Sequence, residues 1–93
     1  MAKLTQAQLD DAVSNLTGWE VEEGELRRLF LFADFIDAMT FVNRVAELAE
    51  EHGHHPNIDI RYNKVLLGLV THDEGGITQK DTALASAVDE WVA

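Results

Sequence analysis

The sequence contains no cysteine and only seven basic residues against seventeen acidic ones, so its net charge is -10. Without cysteine, the chain has no disulfide framework, no thiolate ligands for zinc and no thiol nucleophile. The basic residues are scattered, and Arg27-Arg28 is the only adjacent pair. Proteins that bind nucleic acid usually carry a basic patch that neutralises phosphates. We therefore expect no direct binding to nucleic acid or to an anionic membrane.

Long apolar runs are also missing. No stretch approaches the length that spans a membrane, and residues 1–9 lack the apolar region of a signal peptide. Apolar residues nevertheless make up 46% of the chain, which is enough for a packed core. We expect one small domain over residues 1–93 and a cytoplasmic location.

Apolar periodicity and turn signals predict the element order α-β-β-α-β-β-α. This order predicts an α+β fold, a four-stranded antiparallel sheet with three helices on one face. The predicted elements are a helix that begins at Thr5 and ends at Gly18, strands 19–21 and 26–32 joined at Glu23-Gly24, a helix over 35–52 capped by Asp34, strands 57–62 and 65–71 joined at Asn63-Lys64, and a last helix that begins after Thr78.

The long helix carries two apolar strips. The strip predicted to face the core consists of Phe35, Ala38, Met39, Val42, Val45, Ala46 and Ala49. Phe41 and Leu48 form a second strip, although a helix in a small domain needs only one buried face. The second strip indicates either contact with another subunit or a deeply buried helix. The strands also place apolar residues on the sheet face away from the helices, namely Leu29, Leu31, Leu66 and Val70. Together these surfaces predict a homo-oligomer, a dimer or a tetramer.

Three of the four histidines lie in the segment Glu50-Glu51-His52-Gly53-His54-His55-Pro56. The long helix must end here, because Gly53 suits a left-handed C-terminal position and Pro56 cannot continue a helix. His72 follows sixteen residues after Pro56, past two predicted strands. A hairpin of that length returns His72 to the neighbourhood of His54 and His55. Glu50 lies four residues before His54 and is a candidate to orient an imidazole.

The residues alone leave three interpretations of the histidines open. They are a metal site, although their spacing matches no standard zinc motif; general acid–base chemistry by neutral imidazoles, which needs no cofactor; or surface histidines without a chemical role.

A longer pattern favours the second interpretation. It comprises Glu50-x-x-x-His54-His55-Pro56, Tyr62-Asn63-Lys64-Val65, Thr71-His72-Asp73, and Gly76-Ile77-Thr78 with Asp81. This pattern resembles that of the pterin-4a-carbinolamine dehydratases. The resemblance continues through Gly18-Trp19 and Phe32-Ala33-Asp34-Phe35, so it covers most of the chain.

The resemblance implies an enzyme that eliminates water from 4a-hydroxytetrahydropterin to give quinonoid dihydropterin, in the recycling of tetrahydrobiopterin for an aromatic amino acid hydroxylase. It implies that His54, His55 and His72 form the active site with support from Glu50. It also implies that the segments Gly53-His54-His55 and Val70-Thr71-His72 contact the pterin. We expect neither a metal nor a cofactor, because the imidazoles must be free to exchange protons and the cluster lacks the spacing of a zinc site.

Some relatives in this family act as a dimerisation cofactor or as assembly chaperones. A non-enzymatic interaction protein is therefore the alternative. Core packing and helix capping explain Tyr62 and Asp81, and we assign no role to His52.

Overall fold

The computed structural model describes residues 2–92, in which three helices pack on one face of a four-stranded antiparallel sheet. The elements in chain order are α1 (Gln6–Ser14), β1 (Glu20–Glu22), β2 (Glu25–Leu31), α2 (Phe35–His52), β3 (Asn57–Arg61), β4 (Lys64–Leu69), a short 3-10 helix (His72–Glu74) and α3 (Gln79–Val92). The strands lie in the order β1-β2-β4-β3, and each neighbouring pair is antiparallel. The predicted fold class and element order are confirmed.

Local signals in the sequence explain most of the element starts. Thr5 and Gln8 form the predicted capping box at α1, since each side chain accepts the backbone N–H of the other residue. Asp34 caps α2 by accepting the N–H of Asp37 at 2.8 Å. Glu23 and Gly24 both have positive φ, 52° and 78°, as the two-residue turn between β1 and β2 requires.

Two predicted boundaries are wrong. Helix α1 ends at Ser14 rather than at Gly18, and Leu16 packs against the core from the following turn. The turn of the second hairpin is Tyr62-Asn63 rather than Asn63-Lys64, and Tyr62 takes the positive φ of 52°. Asn63 instead ties this turn to the end of β2, because its Nδ2 donates to the carbonyl of Phe32 at 2.9 Å.

The core decides between the two alternatives for the second strip of α2 and changes the interpretation of the first strip. Phe41 is 1% exposed and packs against the rings of Phe30 and Phe32, with centroids 4.6 and 5.0 Å away. Leu48 is buried as well, so the second strip belongs to the core and not to a subunit contact. Four residues of the first strip are half-buried or exposed along one side of α2, at spacings of four, three and four: Phe35, Met39, Val42 and Ala46. Of these, Val42 still packs against the core, as predicted.

No helix or strand within residues 2–92 covers the sheet face that points away from the helices. Leu29 and Leu31 are 53% and 66% exposed there, as their alternation predicts. Ile58 and Ile60 face the helix side but stay 37% exposed, because β3 is an edge strand, so the prediction that β3 is half-buried is wrong. None of the helices described is long and apolar enough to cross a membrane.

A polar cluster fixes α3 against the first hairpin. Asp89 of α3 accepts the indole N–H of Trp19 at 2.8 Å and an N–H of the Arg28 guanidinium at 2.7 Å. It also accepts the backbone N–H of Thr17 at 3.1 Å. This carboxylate therefore sets where α3 lies, and with it the residues of its first turn.

The placement of Phe41 in the core yields a stability prediction. Replacing Phe41 by Ala should lower the free energy of unfolding by about 3–5 kcal/mol, because the cavity removes packing against the rings of Phe30, Phe32 and Trp91. Ile36, on the same helix and 70% exposed, is the matched control, and Ile36→Ala should change the stability by less than about 0.5 kcal/mol. The measurement is denaturant unfolding at concentrations where the midpoint is independent of protein concentration. Equal effects of the two substitutions would contradict this assignment of the core.

Candidate functional site

The end of α2 determines where the first two histidines of the cluster point. Gly53 is left-handed, with φ 61° and ψ 32°, and its N–H donates to the carbonyl of Glu50 at 3.2 Å. The N–H of His54 donates to the carbonyl of Ala49 at 3.1 Å. These bonds complete the helix end in the manner of a Schellman motif. Beyond this turn the side chain of His54 is mostly buried, at 12% exposed, and that of His55 is at the surface.

The hairpin of β3 and β4 brings the third histidine to the same place. Beyond β4, Thr71 and Gly76 pair in an isolated bridge, with the N–H of Thr71 donating to the Gly76 carbonyl at 2.9 Å. This bridge closes a short loop that contains the 3-10 helix. His72 is the first residue of that helix, and Thr71 is its N-cap.

These segments line one cleft of about 290 Å³. Its lining residues are Gly53, His54, His55, Val70, Thr71, His72, Asp73 and Lys80. All six residues that the resemblance implied as pterin contacts are among them. Asp73 and Lys80 were not predicted. Asp73 directly follows His72 in the Thr71-His72-Asp73 part of the family pattern, and this position could have indicated that it lines the site.

The imidazole of His54 contacts a buried carboxylate. Its Nε2 lies 2.5 Å from Oδ1 of Asp81, and the two side chains are 12% and 0% exposed. Sequence reasoning gave Asp81 only a capping role. The structure shows that role too, because Oδ2 of Asp81 accepts the backbone N–H of Thr78 at 2.9 Å at the start of α3. The other oxygen reaches the imidazole, a contact that spans 27 residues and that no local pattern reveals.

Glu50 contacts a different histidine from the one predicted. Its Oε2 lies 2.5 Å from Nε2 of His55, whereas the helical spacing pointed to His54. The left-handed turn at Gly53 rotates His54 inward and leaves His55 above Glu50. Both side chains are mostly exposed, at 67% and 75%, so this pair contributes little to stability.

The remaining two histidines differ in their surroundings. Within residues 2–92, no hydrogen bond or ion pair holds the ring of His72, which is exposed at the edge of the cleft. His52 lies in the last turn of α2 and is outside the cleft lining. The cleft therefore offers one anchored imidazole, one paired at the surface and one unrestrained.

A larger concavity, of about 410 Å³, lies on the open sheet face around Arg27. The charged side chains that line it all have ion-pair partners, because Arg27 pairs with Glu22, Glu23 and Glu25 and Asp59 pairs with Arg61. The hydrogen bond with Glu25 is the main cause that raises the pKa of Arg27 above its ordinary value. No imidazole lines this concavity, so acid–base chemistry favours the smaller cleft. Among the residues described, no group of three or more His, Asp or Glu side chains is arranged to hold a metal ion.

Comparison with known proteins agrees with the family resemblance found in the sequence. The family model "Pterin 4 alpha carbinolamine dehydratase" matches residues 2–91. A protein of Acidobacterium capsulatum is 51% identical over 89 residues, and one of Chloroflexus aurantiacus is 50% identical over 90 residues. The alignments cover 96% and 97% of this chain and 97% of each relative. Both relatives carry the name of pterin-4-alpha-carbinolamine dehydratase only provisionally.

Two solved structures share the fold. A transcriptional coactivator/pterin dehydratase from Brucella melitensis superposes with a TM-score of 0.93 at 32% identity, over 98% of this chain and 99% of that one. A pterin dehydratase-like protein described as a RuBisCO assembly factor in the alpha-carboxysome superposes with a TM-score of 0.62 at 27% identity, over 77% of this chain and 83% of that one. The family match over nearly the whole length and the half-identical relatives show that this chain belongs to the pterin 4 alpha carbinolamine dehydratase family.

Proposed function

We propose that the chain is a 4a-hydroxytetrahydropterin dehydratase, a hydro-lyase that works by histidine acid–base catalysis without metal or cofactor. The observation that carries the proposal is the convergence of His54, His55 and His72 on one cleft, with His54 anchored by the buried Asp81. Such an arrangement suits proton transfer at a bound ring, because a general acid and a general base must reach it from separate supports.

The reaction requires two proton transfers. The bond between C4a and the hydroxyl oxygen breaks as an imidazolium donates a proton, so the oxygen leaves as water. A neutral imidazole accepts a proton from a ring nitrogen, and the product is quinonoid dihydropterin. Since Nε2 of His54 is occupied by Asp81, Nδ1 is the nitrogen of that ring that remains for the pterin. His72 approaches from the other loop, and His55 with Glu50 positions the pterin.

The proton-transfer pair yields a prediction about turnover. The substrate has two hydroxyl epimers whose leaving groups lie on opposite ring faces, and we assign His54 and His72 to different epimers. Each of His54→Ala and His72→Ala should retain partial, epimer-dependent activity, with losses near the lower end of the roughly 10²- to 10⁴-fold range of one acid–base group. The double variant should approach the uncatalysed rate and remain folded.

The measurement is a dehydratase assay on freshly generated 4a-hydroxytetrahydropterin, with circular dichroism as the check on folding. His55→Ala is the comparison within the cleft and should mainly weaken binding of a dihydropterin analogue. Wild-type turnover by the double variant would refute the assignment of the pair.

Independence from metal is a second prediction. Protein purified without added zinc should contain far less than stoichiometric metal by mass spectrometry of the elements. Its turnover should survive chelation, because the imidazoles themselves carry the protons. Loss of activity on chelation, with recovery on adding one equivalent of a divalent metal, would contradict it.

Self-association belongs to the same proposal, as a homodimer or a homotetramer. Phe35, Met39, Val42 and Ala46 form a partly exposed apolar seam whose four-three-four spacing matches that of helices that pack lengthwise. The outer edge of β3 is unpaired within residues 2–92 and provides a second surface. An aromatic amino acid hydroxylase that forms the substrate is the functional partner we propose.

If the seam forms the subunit contact, a charged substitution within it should weaken the assembly. The wild type should have the mass of a dimer or tetramer by light scattering at micromolar concentration. Met39→Glu should reduce that mass, because it places a carboxylate in the seam. Thr40→Glu, on the outward side of α2, is the matched control and should leave the mass unchanged. A monomeric wild type would exclude the proposed assembly.

A non-enzymatic interaction protein remains the second candidate. The exposed leucines of the open sheet face favour it, and one structure with this fold is described as an assembly factor. Pterin turnover distinguishes the two candidates, because an interaction protein needs none.

A further inference from the structure

Asp81 has more partners than a helix cap needs. Its side chain is 0% exposed. Oδ1 faces His54 at 2.5 Å, while Oδ2 accepts both the N–H of Thr78 and the hydroxyl of Thr71, each at 2.9 Å. A carboxylate is buried at a high cost unless every lone pair finds a donor, and here one carboxylate is surrounded by three. A surface Asp would cap α3 as well, so capping alone does not explain this burial.

We infer that Asp81 is a positioning residue for both loops of the cleft, with a separate oxygen for each. Oδ1 sets the ring orientation and tautomer of His54. Oδ2 sets, through Thr71, the loop that carries His72. The part of this inference that concerns activity rests on the proposed function.

The first oxygen acts on the imidazole directly. An ionised carboxylate only accepts hydrogen bonds, so Nε2 of His54 must carry the proton that lies between them. Nδ1 is then left to exchange protons with a substrate. Without Asp81, either nitrogen of the ring is free to carry the proton, and the ring is free to turn.

The second oxygen acts through a chain of hydroxyls. Thr71 has one hydroxyl proton and donates it to Oδ2 of Asp81, so the hydroxyl of Thr78, 2.8 Å away, must donate to Thr71. The oxygen of Thr78 in turn accepts the N–H of Lys80 at 3.2 Å. Thr71 is also the N-cap of the 3-10 helix and forms the bridge to Gly76. Fixing its side chain therefore fixes the residue that directly precedes His72.

The first experiment replaces the carboxylate by its amide. In Asp81→Asn, the amide oxygen still accepts from Thr71 and Thr78, but the amide NH₂ now faces His54. Nε2 must then become an acceptor and the proton moves to Nδ1. Ring nitrogen-15 NMR should report Nε2–H for His54 in the wild type and Nδ1–H in the variant. Turnover of the epimer assigned to His54 should fall by about tenfold or more in kcat, but by no more than in His54→Ala, with a small change in KM.

The second experiment separates the two oxygens. Thr71→Val is nearly isosteric but lacks the hydroxyl, whereas Thr71→Ser keeps it. Thr71→Val should leave the His54 tautomer unchanged and lower turnover of the epimer assigned to His72 by about tenfold or more, since a small misplacement of a reacting group is costly. Thr71→Ser should restore most of that loss, which a general packing defect would not allow.

The outcomes decide the inference in every case. An Nδ1–H tautomer in the wild type, or an unchanged tautomer in Asp81→Asn, would show that Asp81 acts only as a cap. Equal loss on both epimers in Thr71→Val would overturn the role of the second oxygen. If Asp81→Asn does not fold, the wild-type tautomer and the Thr71 pair still decide. If the wild type shows no turnover, the proposed function fails, while the nitrogen-15 spectra test the positioning on their own.

Discussion

The structure of the cleft depends on one fully buried carboxylate. Asp81 sits at the start of α3, and its two oxygens join the residue that leaves α2 to the residue that leaves β4. Because a buried charge is tolerated only when it is fully paired, the three segments are stable in this arrangement only together. The rest of the fold supplies the supports: Asp89 places α3, the hairpin returns Thr71, and Gly53 turns the chain at His54.

The two imidazole–carboxylate pairs have the same chemical groups but differ in their exposure to solvent. His54 and Asp81 are enclosed, so their geometry is fixed by surrounding atoms and their interaction is little screened by water. His55 and Glu50 are mostly in solvent, where salt and water weaken the same kind of contact. Because of this difference we propose proton transfer for His54 and pterin positioning for His55, although the two residues are adjacent in the chain.

Periodicity and capping signals predicted the element order, and the hairpin length predicted that His72 returns to the other histidines. What could not be predicted depended on tertiary contacts. Phe41 was ambiguous because a helix wheel does not show which side the sheet covers. Helical spacing pairs Glu50 with His54, because spacing alone does not show how the left-handed Gly53 changes the direction of the imidazoles that follow it. Helix capping correctly explains one contact of Asp81, but it does not reveal the contact with His54.

One solved structure with this fold is described as a transcriptional coactivator/pterin dehydratase and another as a RuBisCO assembly factor, so the fold alone does not decide what the cleft binds. The most direct measurement is an amide NMR titration of the wild type with a stable dihydropterin. We expect saturable shifts confined to residues 53–55, 70–73 and the first turn of α3, and loss of those shifts in the variant that lacks both the His54 and the His72 imidazoles. Shifts that instead map to the open sheet face around Arg27 and Leu29, or no saturation at millimolar ligand, would contradict this expectation.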